Sequence, residues 1–408
     1  MMIKVSLVLL LSLFGIVYSQ KPNYCQANLP KPSLNTNGLS LEMVQVLLRH
    51  GDRTPLYSNL SPDMSIWDCD LGWFMSPSFE NIPGPITDIN RLYRKVYMPN
   101  REFLPGNCSK GQLTSLGFAQ HIQLGQTLRE LYVDKYQLLP NQYTQDQTKI
   151  WVRSTDVPRT LQSAQAHLTG LFPPQPTNGE PIPVININTM DPDFENMQPN
   201  NRLCPVISMM EYNATKTPEY QEFIKNTTQL KTQIMNALGV KSFPAYGWYS
   251  FMDLFYSLQC HDLPLPPGIT QEMVDGAYEA ALWDYTYKFS FPMYSRLGMS
   301  TFLEELLENI GNYIQNTDDT KYYLFSGHDT TIGAIANLFG LLGEWPSYAS
   351  HIEMELWSNS NKNYFLQFKY NGESFQLNGC GDIMCPIETF FNIANSLIVP
   401  NYSDICSN

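Results

Sequence analysis

The chain has 408 residues, of which 43% are hydrophobic and 15% charged, with a formal net charge of −13 and eight cysteines. That length permits a full core in one large domain or two unequal ones, which excludes a small scaffold dependent on disulfides or metal. The acidic balance argues against nucleic acid or an anionic membrane as a partner, and any anionic ligand has to be held against the field of the whole molecule.

At the N-terminus, Lys4, the apolar run Val5 to Ile16 and the small residue Ser19 predict a signal peptide over 1–19. The run falls short of the roughly twenty residues needed to span a bilayer, so no membrane span is expected after cleavage. Entry into the secretory pathway gives meaning to the Asn-x-Ser/Thr tripeptides at Asn59, Asn107, Asn213, Asn226 and Asn401, expected glycosylation sites. It also suits the cysteines, which fit an oxidising lumen.

Met43 to Leu48 reads as a short buried strand, followed by a turn marked by Gly51 and Pro55. Residues 56–110 are rich in Pro, Asn and Trp, lack periodicity and carry Cys69 and Cys108, so an irregular insertion is expected. Leu116, Phe118, Ile122, Leu124, Leu128 and Leu131 recur at helical spacing between Leu113 and Tyr132. Ile150 to Val152 predicts a strand, and Asp156 and Pro158 start a helix continuing through Leu161 to Leu168.

A Pro-rich stretch, 173–183, leads into residues 184–310, which are helical in pattern and lack strong strands. Strand signals return in "KYYLFSGHDTTIGAIANLFGLL", a strand ending near Ser326, a turn at Gly327 and a helix through Ala334 and Leu338. His351 to Trp357 and Tyr364 to Tyr370 alternate polar and apolar residues, as paired antiparallel strands do. Cys380 and Cys385, in "GCGDIMC", predict a local disulfide, because no second close pair or His partner completes a zinc site. This order predicts an α/β sandwich, discontinuous over 41–183 and 311–408, interrupted by a smaller helical domain at 184–310.

Ligands of such sheets bind beyond the carboxyl ends of the strands. Three loops therefore stand out: "RHGDRT", "VRSTD" and "SGHDTT". They offer Arg49, Arg53 and Arg153 as permanent cations, His50 and His328 as titratable rings, and Asp52, Asp156 and Asp329 as acids. Clustered guanidiniums match tetrahedral oxyanions in bidentate fashion, which points to a phosphate. A neutral histidine among cations can attack phosphorus, and a nearby carboxyl can protonate the leaving alcohol. The reading is a phosphomonoesterase favouring acidic pH, with His50 as nucleophile and Asp329 as acid. No metal or other cofactor is expected, since the arginines supply the charge stabilisation. Asp52 and Asp156 are assigned to orienting arginines, and His121, His167, His261 and His351 to structure. Each loop alone has an ordinary explanation, "GHDTT" as a helix cap for instance; their joint occurrence carries the reading.

"LLRHGDRTP", "GQLTSLGFAQHIQLGQ", "VRSTDVPRTLQSA" and "YYLFSGHDTTIGA" resemble the motifs of the histidine acid phosphatase family, the prostatic and lysosomal branch, over roughly residues 41–406. The resemblance implies a phosphoglycerate-mutase-like three-layer sandwich. It also implies His50 as nucleophile, Arg49, Arg53, Arg153 and His328 as phosphate ligands, and Asp329 as proton donor. By the same resemblance Cys380 pairs with Cys385 and Cys204 with Cys406. Cys69 and Cys108 then close the insertion, which leaves Cys25 with Cys260. His351 stands where the family carries a further cysteine. The long insertion is similar to the branch acting on 2-phosphoxylose. The family implies a phosphomonoester substrate, a secreted or lysosomal location and a homodimer as the candidate assembly. The rival expectation is a secreted binding or signalling glycoprotein that keeps the fold with little dependence on turnover.

Overall fold

Strand β1 (Leu39–Arg49) carries two apolar stripes that organise the molecule. A computed structural model describes residues 23–57, 66, 67, 69, 104–144, 147–175, 183–341 and 343–407. The expected signal peptide, Asn59 and most of the 56–110 insertion lie outside these residues. Successive side chains of a strand point to opposite faces of its sheet. Val44, Val46 and Leu48 enter one core and Met43 and Leu47 another, so both faces of the sheet are covered.

The chain continues through α1 (Ser115–Arg129), a π-helical turn over Glu130–Lys135, β2 (Ile150–Ser154) and α2 (Pro158–Leu171). It then runs through α3 (Val206–Ala214), α4 (Pro218–Leu238), α5 (Gly247–Cys260), α6 (Gln271–Phe289) and α7 (Pro292–Ile314). After these come β3 (Tyr322–Gly327), α8 (Asp329–Leu338), β4 (His351–Asn359), β5 (Tyr364–Tyr370), β6 (Glu373–Phe375), β7 (Met384–Pro386), α9 (Ile387–Leu397) and α10 (Tyr402–Cys406). The sheet order is β2-β3-β1-β4-β5-β6, with β7 also pairing β5. β2, β3 and β1 are mutually parallel, and β4 and β5 form the expected antiparallel pair.

Helices cover both faces, as the three-layer expectation required. On one side α1 and α2 bring Leu124, Leu128, Ala164 and Leu168 against Val44, Val46, Val152 and Leu324. On the other, α7, α8 and α9 bring Phe302, Leu306, Ile332 and Phe390 against Met43, Leu47, Phe325 and Ile352. A third, aromatic-rich core joins α4, α5 and α6 through Ile234, Trp248, Phe251, Phe255, Val274 and Ala281. Packing thus groups α3 and α7 with the sheet, although their helical pattern had placed them with the inserted region ending at 310. Periodicity reports that a helix has a buried face; it does not say which partner buries it.

Disulfides join Cys25 to Cys260, Cys69 to Cys108, Cys204 to Cys406 and Cys380 to Cys385. The first ties the segment before β1 to the end of α5, and the third ties the start of α3 to α10. His351 is buried on β4, its Nδ1 donating to Ala349 O at 3.1 Å and its Nε2 lying 3.2 Å from Glu353.

Candidate active site

Parallel pairing levels the carboxyl ends of three strands: Arg49 is in register with Gly327, and Ser154 with Ser326. The loops that follow β1, β2 and β3 therefore meet at one edge of the sheet. The loop after β1 is pressed onto the start of α1, where a Cβ on Gly51 would stand 2.4 Å from Gly117 O and one on Gly117 2.1 Å from Asp52 O. Only glycine at both positions permits that approach.

His50 is 2% exposed. Its Nδ1 lies 2.8 Å from its neighbour's carbonyl, Gly51 O, an acceptor only, so Nδ1 carries the proton and Nε2 the lone pair. Burial first, then Arg159, Arg49, Arg53 and His328, hold its pKa well below the usual histidine range. The ring is thus a neutral base at acidic pH. His328 sits edge-on to it, with ring centroids 5.7 Å apart, and is likewise kept neutral by burial and by Arg159. Thr155 Oγ1 lies 3.0 Å from His328 Nε2.

Arg49 packs against the adjacent, edge-on rings of Tyr24 and Tyr348, with its guanidinium carbon 4.8 and 4.5 Å from their centroids. It donates to Tyr24 Oη at 2.7 Å and to Pro346 O, and lies 3.3 Å from Asp329 Oδ2. Arg53 pairs with Asp253 of α5 at 2.6 Å and donates to Tyr249 Oη at 2.9 Å. Asp329 opens α8. Its Oδ1 accepts from the Thr330 N–H at 2.9 Å and its Oδ2 from the Trp345 indole at 3.0 Å. Burial pushes the Asp329 pKa up, but Arg49, the Trp345 bond, Arg53 and His328 together bring it below the usual carboxylate range.

Arg153 is not in this pocket, which corrects the expectation from "VRSTD". It is still inside β2, where alternation sends Val152 toward α1 and α2 and Arg153 to the opposite face. There it pairs with Glu195 at 2.7 Å and Glu305 at 2.6 Å. The third guanidinium at the pocket belongs to Arg159, six residues on in the same motif and in the first turn of α2. Its Nη2 is 3.5 Å from His328 Nδ1, and burial and the neighbouring Arg53 bring its pKa down to about 10, so it stays cationic. Among the described residues no carboxylate lies within ion-pair distance of Arg159, whereas Arg49 and Arg53 each have one and Arg153 has two. A cation at a helix N-terminus opposes the helix dipole, and that local conflict was the signal available in the sequence.

The aspartates assigned to orient arginines do otherwise. Asp52 accepts from Thr114 Oγ1 and pairs with His261, and Asp156 is exposed. Arg53 is oriented instead by Asp253, some two hundred residues along the chain on α5, with no local motif to announce it. His121 and His167 are structural as expected: His121 Nε2 donates to Arg49 O at 3.1 Å, and His167 Nε2 meets Tyr322 Oη at 2.7 Å.

Residues 40–371 match the family model described as histidine phosphatase superfamily (branch 2). Counting factor 60 from Dictyostelium discoideum is 62% identical over 406 residues, covering 99% of this chain and 97% of that protein. Human lysosomal acid phosphatase is 26% identical, covering 91% of this chain and 81% of the relative. Among solved structures, a Klebsiella phytase superposes with a TM-score of 0.62 at 14% identity, covering 89% of this chain and 97% of that one, which shows a shared fold.

Proposed function

Because the chain belongs to the histidine phosphatase superfamily, branch 2, we propose that it hydrolyses phosphate monoesters through a phosphohistidine formed on His50. The observation that carries this reading is the state of His50: neutral, tautomer fixed by Gly51 O, and surrounded by Arg49, Arg53 and Arg159. A cluster of cations around an uncharged base suits an anionic electrophile, and phosphate is the electrophile that three guanidiniums can hold.

In this mechanism the arginines and His328 bind the phosphoryl oxygens. His50 Nε2 attacks phosphorus as the P–O ester bond breaks, and Asp329 gives its proton to the departing oxygen. Water then attacks the phosphohistidine, Asp329 takes up the water proton, and inorganic phosphate leaves with His50 restored. Asp329 is ionised in the free site, so it enters the cycle protonated only once a phosphate dianion shares its arginines and raises its pKa. That coupling favours acidic pH. The relatives among lysosomal acid phosphatases and the disulfides support action in a secretory or lysosomal lumen. Asn107, Asn213, Asn226 and Asn401 are exposed and suit glycosylation.

The test is hydrolysis of p-nitrophenyl phosphate by the purified glycoprotein from about pH 4 to 8, with and without a chelator, beside His50→Ala. Acid-peaked turnover, unaffected by the chelator and lost in the variant, supports the proposal. The relative named Counting factor 60 favours a second reading, a factor that works by binding. A folded wild type that binds phosphate without turning over the ester would support that reading instead.

A further inference from the structure

We infer that Trp345 is a positioning residue for Asp329: its indole N–H, locked in an aromatic stack, holds the carboxyl that passes the proton. This inference rests on the proposed role of Asp329. Trp345 is 6% exposed, and its Nε1 donates to Asp329 Oδ2 at 3.0 Å. The indole lies between two tyrosines, Tyr285 with centroids 4.3 Å apart and Tyr249 at 5.1 Å and 6°.

Each tyrosine is itself tied to the site. Tyr285 Oη donates to Asp329 O at 2.9 Å, and a Cβ on Gly333 would come within 1.9 Å of Tyr285 Oη, so glycine in α8 makes room for the hydroxyl. Tyr249 Oη accepts from Arg53 Nη2 at 2.9 Å. The indole therefore cannot tilt without breaking contacts to both the proton donor and a phosphate arginine.

The chemistry of the bond is one-sided. Indole is a donor only, and its hydrogen bond to a carboxylate is stronger than to the protonated acid. Trp345 thus lowers the proton affinity of Asp329 and keeps Oδ2 in place in both protonation states. The other groups facing Asp329 are Arg49 and Arg53 from β1 and its loop, Arg159 from α2, His328 beside it, and Tyr24, Tyr57, Tyr249 and Tyr285. A bound phosphate engages the arginines, whereas the Trp345 bond does not depend on the substrate. With the Thr330 N–H holding Oδ1, it is the restraint on Oδ2 that persists from the acid step to the base step.

The experiment is Trp345→Phe, which keeps an aromatic ring in the stack and removes the N–H. Asp329 is titrated directly by carbon NMR of labelled aspartate, with Asp329→Asn identifying its signal. The expected result is a rise of about half to one pKa unit, a three- to tenfold gain in proton affinity. An unchanged titration overturns the inference whether or not the protein is an enzyme, so its failure is distinct from failure of the phosphatase reading. In kinetics, the alkaline limb of kcat for an alkyl phosphate should move to higher pH, with a larger loss for that ester than for p-nitrophenyl phosphate. Equal losses for both esters at every pH would mean a merely structural role. Should Trp345→Phe not fold, the isosteric benzothienyl analogue of tryptophan, which also lacks the N–H, carries the same titration and the same criterion.

Discussion

His50, Arg159 and Arg153 show how much a few ångströms decide at the scale of single residues. Arg159 has no carboxylate partner among the described residues and faces His328, while Arg153 is neutralised by Glu195 and Glu305 on the other face of the sheet. Arg159→Ala is expected to lower kcat/KM for a phosphate ester by about a hundredfold, the scale for losing a charge-assisted contact to a developing anion. Arg153→Ala is expected to lose roughly 3 kcal/mol of stability, since it strands the buried carboxylate of Glu195, and to leave kcat/KM of the folded fraction unchanged. Steady-state kinetics paired with urea unfolding separates the two; the reverse assignment of losses would contradict the geometry. His121 gives a pH prediction whose sign is fixed by burial. Its folded pKa is down at about 3 against 6.5 for the unfolded chain, so the unfolded state alone gains a proton as pH falls below 6.5. His121→Gln keeps a donor for Arg49 O without titrating. Its stability relative to wild type should improve by roughly 2 kcal/mol between pH 7 and pH 5; a pH-independent difference would mean that His121 takes up a proton as readily in the fold as in the unfolded chain.

Elements explain which parts of this arrangement could be read in advance. The strands β1 and β3 end in "RHG" and "SGHD", and in both the apolar run stops where the chemistry starts. His50, His328 and Asp329 were therefore legible. "VRSTDVPRT" was legible only as a motif: a strand of five residues does not announce where it ends, and one position of register moves an arginine to the opposite face. Asp253, Tyr249 and Trp345 come from α5 and from the loop after α8, and tertiary packing alone brings them to the site. The segment before β1 is a similar case. The Cys25–Cys260 bridge fastens it to α5, and the adjacent Tyr24 both stacks on Arg49 and accepts its hydrogen bond. Replacing both cysteines by serine should raise KM for the ester several-fold, with a smaller effect on kcat, because Arg49 loses a wall and an acceptor. Tyr24→Phe, which keeps the ring, should show a smaller rise. A double-cysteine variant with wild-type KM would detach this bridge from the site.

The whole molecule sets an acidic body against a cationic pocket. The formal net charge is −13, while Arg49 and Arg53 are buried beside His50 and Arg159 is largely enclosed. Surface charges are screened over about 10 Å at moderate salt, and buried ones much less. Raising salt from about 10 to about 150 mM near neutral pH should therefore increase kcat/KM for a dianionic ester, by weakening long-range repulsion while the pocket keeps its grip. A steep fall would mean that exposed cations steer the substrate. Covalent chemistry at His50 is tested by an alkaline quench during turnover of a radiolabelled phosphate ester, followed by peptide mapping. Acid-labile, alkali-stable label is expected on the peptide carrying His50, absent from His50→Ala and accumulating in Asp329→Asn with a good leaving group. Turnover with no label on any histidine, or with label on another residue, would contradict it.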